Sequence, residues 1–424
     1  MVEVELESLY YFVVLIRQHE REEGSRVRKQ SKKRKKEEER RKKMRRMQGD
    51  GMKNVYTASA IAMTVGAMLL GGAGSASALE VKTGNDKVGV TLYGHVNRAV
   101  MSVDDGNDST ILHVDNSHSE SRAGLKAKVA ASEGLTIGGT VEVQWQSNPS
   151  HEVSMDKESI TAELKERKME VYFDFKDIGK LYLGKGDMAS DDTSEVDLSG
   201  TSLAGNSGVA DAGEGFNFHD NNGGVGLAVG DVFDQMDGLS RKSRIRYDTP
   251  NFGGFTLGVS SGEKERADVA LFYSGKFSDG SKLKAAVAYS DPSEGKDYTQ
   301  INGSASLLFG FGLNLTVAGG SRSLDDMPAG GDDPGFMYGK IGYKTDKIFS
   351  IGSTACSIDY GVFSNIENQD REEEGTAYGV QFVQKLSDYN TQLFASYRNF
   401  ELDDNTGVEY EPISLIMAGA RIKF

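Results

Sequence analysis

Cysteine is nearly missing from this chain. Cys356 stands alone among 424 residues, so no disulfide can form within it. Proline is scarce as well, at six residues. No apolar run after residue 78 reaches the ~20 residues that a membrane-spanning helix needs. Mean hydropathy is −0.45 and the formal net charge is −14. At face value these are the marks of an acidic protein that lives in water. Glycine, by contrast, is plentiful at 51 residues, roughly 12% against a usual ~7%.

The first 80 residues argue against that face value. Residues 26–46, RVRKQSKKRKKEEERRKKMRR, are a basic run with an acidic interruption. MKNVYTASAIAMTVGAMLLGGAGSASALE then follows from Met52 to Glu80. Lys53 is a short positive region, Val55 to Leu70 a small and apolar stretch, and Ala76-Ser77-Ala78 a small-x-small cleavage site. Together they read as a secretory signal peptide over 52–78, cleaved after Ala78. Export machinery reads the front of a chain, so the simplest account makes Met52 the true start and 1–51 an upstream misread. The basic run also has the forms of a nucleic-acid or membrane-surface tail and of a plain solvated charge run; a retained helical anchor over 55–74 is a further reading. Residues 1–78 hold 17 of the 49 basic and 10 of the 63 acidic residues. What remains has 32 basic and 53 acidic, a net charge near −21, which disfavours nucleic acid as a partner.

From Val88 onward the pattern is one of short alternating segments. They fall at 90–100, 121–131, 135–145, 169–175, 180–186, 243–250, 255–262 and 267–277, then at 282–290, 299–309, 312–320, 335–343, 350–363, 376–386, 391–400 and 412–424. That makes sixteen, an even number, and the connections alternate too. Tight turns such as SEG, SDG and TDK take every second place. Longer polar loops near 104–119, 148–166, 187–240, 263–266, 291–298, 321–334, 364–375 and 401–411 take the others. Short turns at one end and long loops at the other are the signature of an outer-membrane β-barrel.

The faces point the same way. In 267–277, Val269, Leu271, Tyr273 and Phe277 share one parity against Asp268, Ser274 and Lys276; in 299–309, Ile301, Ala305, Leu307 and Phe309 oppose Asn302, Ser304 and Ser306. An apolar outside and a polar, wet inside satisfy every backbone group within lipid. Aromatics gather beside the short turns, among them Phe252, Phe277, Phe311 and Tyr343, as an interfacial girdle would. The chain stops in mid-pattern on Phe424. That last strand predicts pairing with 88–100, which leaves no open edge.

These residues resemble the Gram-negative general diffusion porins, most closely those of alphaproteobacterial type. The matching pieces are VTLYGHVNRAV, SRAGLKAK, RIRYDTPNFGGFTLGVS, MASDDTSEVDLSG and the terminal phenylalanine, and the likeness runs over 80–424. It implies an all-β fold, a 16-stranded antiparallel transmembrane barrel with short periplasmic turns, long external loops and a third loop folded inward. It implies a homotrimer in outer-membrane lipid and lipopolysaccharide, with Phe424 in the signal that the barrel-assembly machinery reads.

Residues 187–240 are the longest irregular stretch, and loops of that length are functional or disordered. They carry Asp187, Asp191, Asp192, Glu195, Asp197, Asp211 and Glu214. Nearby strands offer Arg122, Lys126, Lys168, Arg244 and Arg246 on the polar parity. Opposed acidic and basic walls would set a transverse field and bias ion selectivity. By resemblance Arg122 matches a constriction arginine, a second match falls on Arg167 or Lys168 with parity favouring Lys168, and His95 takes the place of a pore-facing lysine. Arg98 shares the outward parity of Val90, Leu92 and Val96, where lipid would cost it ~2–4 kcal/mol; a place at the rim, in a subunit interface or beside a bulge would each relieve that.

No chemistry stands out. GKLYLGKG (179–186) has phosphate-loop spacing but lacks the Ser/Thr and sits in a strand. Histidines 113, 118, 151 and 219 show no ligand spacing. No enzyme activity, cofactor or metal is expected. The expected function is passive diffusion of ions and small hydrophilic solutes with a weak cation preference. A substrate-specific channel on the same barrel, for which only Tyr93, Tyr172 and Phe394 offer aromatics, and a plugged structural or adhesive barrel are the alternatives.

Overall fold

The computed structural model describes residues 79–81, 87–221, 223–293 and 298–424. The expected signal peptide (52–78) and upstream extension (1–51) lie outside the described residues. Sixteen strands form the wall: β1 Val88–Asp104, β2 Arg122–Ser132, β3 Leu135–Gln146, β4 Glu163–Phe175, β5 Gly179–Asp187, β6 Arg241–Asp248, β7 Phe255–Gly262 and β8 Ala267–Lys276. They continue as β9 Lys282–Asp291, β10 Tyr298–Leu308, β11 Leu313–Leu324, β12 Gly335–Phe349, β13 Gly352–Ser364, β14 Glu374–Leu386, β15 Thr391–Asp403 and β16 Ile413–Lys423. Each pairs antiparallel with the next, and β16 returns to β1 in the register His95↔Lys423 to Asp104↔Ser414. The sheet is closed. Phe424 and Gly94 seal the seam with reciprocal backbone hydrogen bonds of 2.9 and 3.0 Å. Below it, Leu79–Val81 pairs with the stretch of β1 that β16 does not reach.

Periodicity sets which side chains meet lipid. Val141, Val171, Leu271, Val287, Ile301, Val317, Ile341, Ile358 and Val380 stand exposed on the outer face. Phe252, Phe255, Phe277, Phe311, Tyr343, Phe349, Tyr389 and Phe424 are exposed beside the short turns, as a girdle requires. Among the described residues no helix is long and apolar enough to cross a membrane; strands do the crossing.

Three features depart from the sequence reading. Ser109–Asp115 is a strand, not loop, and extends the upper half of β1 as a hairpin. β4 starts six residues earlier than 169, at Glu163, and carries a bulge against β3 between Glu142 and Val143. The inner face is also drier than polar parity implies. On β10 the row Asn302, Ser304 and Ser306 is buried under the backbone of the long loop: Val196 N and Leu198 N donate to the Ser304 and Ser306 hydroxyls at 2.9 Å each. At the external end of β13, β15 and β16 the inward residues are apolar. Phe363, Phe400, Ile413, Leu415 and Met417 pack there with Phe216, Phe218, Phe233 and Met236 of the loop. Phe233 meets the Phe363 and Phe400 rings edge-on at 5.1 Å each. Each such ring contributes ~1.5–3 kcal/mol by leaving water, enough to fold the loop onto the wall.

Candidate functional site

The long loop, residues 188–240, leaves the wall after β5 and runs inside the barrel. Its root is tied by Ser190, whose amide and hydroxyl donate to Asp268 on β8 at 2.8 and 2.6 Å. Further on, Lys340 on β12 donates to Asp197 at 2.8 Å and to the Gly205 carbonyl at 2.6 Å. Arg322 on β11 meets Asp234 at 2.6 Å. On the outside, its hairpin of Asn217–Asp220 and Val225–Ala228 is joined by Tyr410–Glu411 of the last external loop to make a small three-stranded sheet.

Two cavities lie along the lumen. One, of about 530 Å³, opens towards the external loops and reaches Arg241 and Arg322. The other, of about 600 Å³, extends down to Asn251 and Gly254 in the short turn between β6 and β7. His118, Ser119, Asp192 and Glu195 line both cavities and so mark the neck between them.

Of the expected acidic residues, Asp191, Asp192, Glu195 and Asp211 line the outer cavity. Asp197 faces the inner one but is consumed by Lys340. Asp187 sits at the root, bound by Lys168 and, at 3.1 Å, by Arg241. Glu214 is exposed in the turn that precedes the loop's outer hairpin and lines neither cavity. Burial inside the barrel and the neighbouring Asp211 and Asp192 push Glu195 up to about 8. Burial and the Glu120 carboxylate push Asp211 to about 8 as well. Burial and surrounding carboxylates also raise Asp191 and Asp237 well above the usual range. Asp237 accepts the amides of Asp192 and Ser194 at 2.8 Å each, and so shapes the turn that presents the acids.

The basic side differs more from expectation. Arg122 lines the outer cavity, but its guanidinium donates to Glu120 at 2.5 Å. The second basic residue there is Arg167 rather than Lys168, which parity favours. The β4 bulge turns Arg167 inward, where it is buried against Glu142 at 2.9 Å and Glu120 at 3.0 Å. Lys168 is turned inward too but is held by Asp187. Arg244 and Arg246 do not face the neck. Arg244 bonds Glu170 at 2.6 Å and the Asp187 carbonyl at 3.0 Å, while Arg246 bonds the Met188 carbonyl at 2.7 Å; both fasten the loop root. Lys126 lies over the Tyr93 ring at 4.6 Å, outside both cavities. His95 is a backing residue, 2.9 Å from the Glu120 carbonyl oxygen.

Arg98 does face outward, and its charge is met at the rim by the Ser147 carbonyl at 2.6 Å and by Asp115 at 3.8 Å. Residues the sequence reading passed over include Glu120, Arg421, Arg241 and Asp237. Glu120 was signalled only by lying two residues before Arg122. Burial drives its carboxyl up, but Arg167 and Arg122 outweigh this and hold it below the usual range. Chemically the lumen is a polar passage with one wall of arginines neutralised by Glu120 and Glu142. Its other wall is of carboxylates: among the described residues Asp192, Glu195 and Asp211 have no Lys or Arg ion partner.

Comparison with known families finds a match to the Gram-negative porin model over residues 58–405. Comparison with curated proteins finds none. Among solved structures the chain is similar to the anion-selective porin from Comamonas acidovorans, at 18% identity and TM-score 0.53, over 80% of this chain and all of that one. It is also similar to outer-membrane-expressed OmpT of Vibrio cholerae, at 15% identity and TM-score 0.53, over 82% of this chain and all of that one. The trimer form of that OmpT aligns at 16% identity and TM-score 0.50 over 80% and 100% of the two chains. These likenesses are of fold.

Proposed function

We propose, for a chain that belongs to the Gram-negative porin family and is a multi-pass outer-membrane β-barrel channel, that it lets ions and small hydrophilic solutes diffuse down their gradients with a weak preference for cations. The observation that carries this is the passage itself: two cavities, one open to the loops and one reaching a short turn, that join at a polar neck. Opposed polar walls reward solutes that keep a dipole or charge and penalise apolar ones. Arg122 and Arg167 are offset by Glu120 and Glu142, so the carboxylates of 188–240 that lack a Lys or Arg partner decide the sign of the preference as they ionise. We assign the acidic wall to Asp191, Asp192, Glu195 and Asp211 and the basic wall to Arg122 and Arg167.

The working unit is a homotrimer, the state named for the Vibrio cholerae OmpT trimer form. Phe424, paired to Gly94 at the seam, serves as the terminal residue that the barrel-assembly machinery reads. The apolar packing that fills one side of the external mouth favours a second reading, a substrate-specific channel on the same barrel.

The test is single-channel conductance of the purified chain in a planar bilayer, with a salt gradient across it. Ohmic steps in groups of three are expected, with a reversal potential of cation sign above pH ~8, where Glu195 and Asp211 are ionised. A folded, heat-modifiable barrel that does not conduct refutes the diffusion channel and leaves a plugged one. Conduction that saturates with one solute class would favour the specific channel.

A further inference from the structure

The neck is not made by the inserted loop alone. Asp192 and Glu195 come from residues 188–240, but His118 and Ser119, which line the same two cavities, come from the return of the first external loop. We propose that the segment Asn116–Ser121 is a second constriction element, which sets the size and charge limits of the channel jointly with the long loop. This rests on the reading of the lumen as an open passage.

The segment is built to hold its position. Ser117–Ser119 is a single tight turn, and the Asn116 side chain accepts the His118 amide at 3.1 Å. The wall grips it from two strands. Asn97 on β1 donates from its side chain to the Ser119 carbonyl at 2.8 Å and from its amide to the Ser121 hydroxyl at 2.9 Å. Arg421 on β16 donates to the Ser119 hydroxyl at 2.7 Å. Along one flank the segment bonds directly to the long loop: Asn116 Nδ2 donates to the Leu203 carbonyl at 2.8 Å, and His118 Nδ1 lies 3.2 Å from Asp211. The second external loop braces the junction, with Ser150 donating to the Asp211 carbonyl at 2.7 Å.

Its chemistry matters as much as its bulk. One carboxylate oxygen of Glu120 serves both Arg122, at 2.5 Å, and Arg167, at 3.0 Å. The segment therefore carries the charge that masks the two arginines of the neck's basic side. A channel without it would be wider and would leave two guanidinium groups with Glu142 alone as their countercharge. His118 and Ser119 fix the width, and Glu120 fixes the charge.

The experiment uses the full chain with Cys356→Ser, which removes the native thiol. Ser119→Cys is exposed to methanethiosulfonate reagents in single-channel recordings, and Glu120→Gln is recorded in a salt gradient. Heat-modifiable migration shows that each variant folds. Labelling at position 119 is expected to remove half or more of the unit conductance. Glu120→Gln is expected to move the reversal potential towards anions. Full labelling without loss of conductance, in a protein that Glu195→Cys labelling does block, overturns the proposal. So does a reversal potential that Glu120→Gln leaves in place. A wild-type chain that does not conduct overturns the open-passage reading along with this one, whereas a conducting wild type with indifferent variants overturns this one alone.

Discussion

Asp197 and Lys340 offer the sharpest test of how the inserted loop is held. The Lys340 side chain is 0% exposed and that of Asp197 is 4% exposed, with 2.8 Å between Nζ and Oδ2. The other acceptors at the ammonium are the Gly205 carbonyl at 2.6 Å and the Thr201 hydroxyl at 3.3 Å, both neutral. Asp197→Asn keeps the shape and an oxygen for the Ser199 amide, which Asp197 accepts at 2.6 Å, but deletes the countercharge. Removing one partner of a buried pair costs about 3–5 kcal/mol, because the other charge is left in low dielectric. At ~1.4 kcal/mol per tenfold, the open form of the loop arc over 196–206 should gain roughly a hundred- to several-thousand-fold in population. The barrel wall keeps its own hydrogen bonds, so relief comes from detachment of the arc, which lets water reach Lys340. Single-channel recordings of Asp197→Asn should show large open-channel noise and a raised mean conductance. External protease should cut within the arc. The double variant Asp197→Leu, Lys340→Met replaces the pair by apolar groups and should restore a quiet channel, since such exchanges are often neutral. A single variant as quiet and protease-resistant as wild type would refute the reasoning, and a double variant as noisy as the single would show that desolvated charge is not the cause.

Two further predictions concern the neck and the seam. Glu195 and Asp211 stand at about 8 in the folded channel against 4.5 and 3.8 for the free groups. Both raised values mean that protons are held more tightly in the folded state, so the stability they supply is full at low pH and lost as pH rises through about 8. Cation preference moves the opposite way, growing across the same interval as the carboxylates ionise. Reversal potentials measured from pH 6 to 9.5 should show the rise, and Glu195→Gln should flatten part of it; a level wild-type profile would remove both groups from the conducting path. At the seam, a Cβ on Gly94 would stand 2.6 Å from the Arg122 carbonyl and 2.7 Å from two carbons of the Phe424 ring. Gly94→Ala should therefore cost ~1–3 kcal/mol through overpacking and lower the temperature at which the barrel loses its compact migration in detergent gels; an unchanged temperature would mean that the seam yields freely.

The wall of this protein is legible in one dimension because a strand's faces alternate locally. Val269 and Leu271 against Asp268 need no distant partner to be read, and sixteen such stretches with alternating short and long connections leave few architectures open. The terminal alternation through Ile422 and Phe424 even announces closure on β1. Where a local rule breaks, the reading breaks with it. The single extra residue in β4 reverses parity at Arg167, which is why Lys168 looked the better candidate.

The lumen is another matter. The bonds that fasten residues 188–240 to the rest of the barrel join positions far apart in the chain: Lys340 to Asp197, Ser304 to Val196, Arg322 to Asp234, Asn116 to Leu203. Whether an acidic residue lines the passage without a cation, as Glu195 does, or is tied to the wall, as Asp197 is, depends on which cation the closed barrel brings opposite it. The role of His118–Glu120 in the neck has the same origin, since a loop sequence says nothing of the strand it will fold against. The amino-acid sequence by itself determined the barrel, its strand count and its lipid face, because period-two patterning and turn chemistry act between near neighbours. Only the tertiary structure decided the passage, because its walls are matched charges and packed rings that meet when the ends of the sheet do.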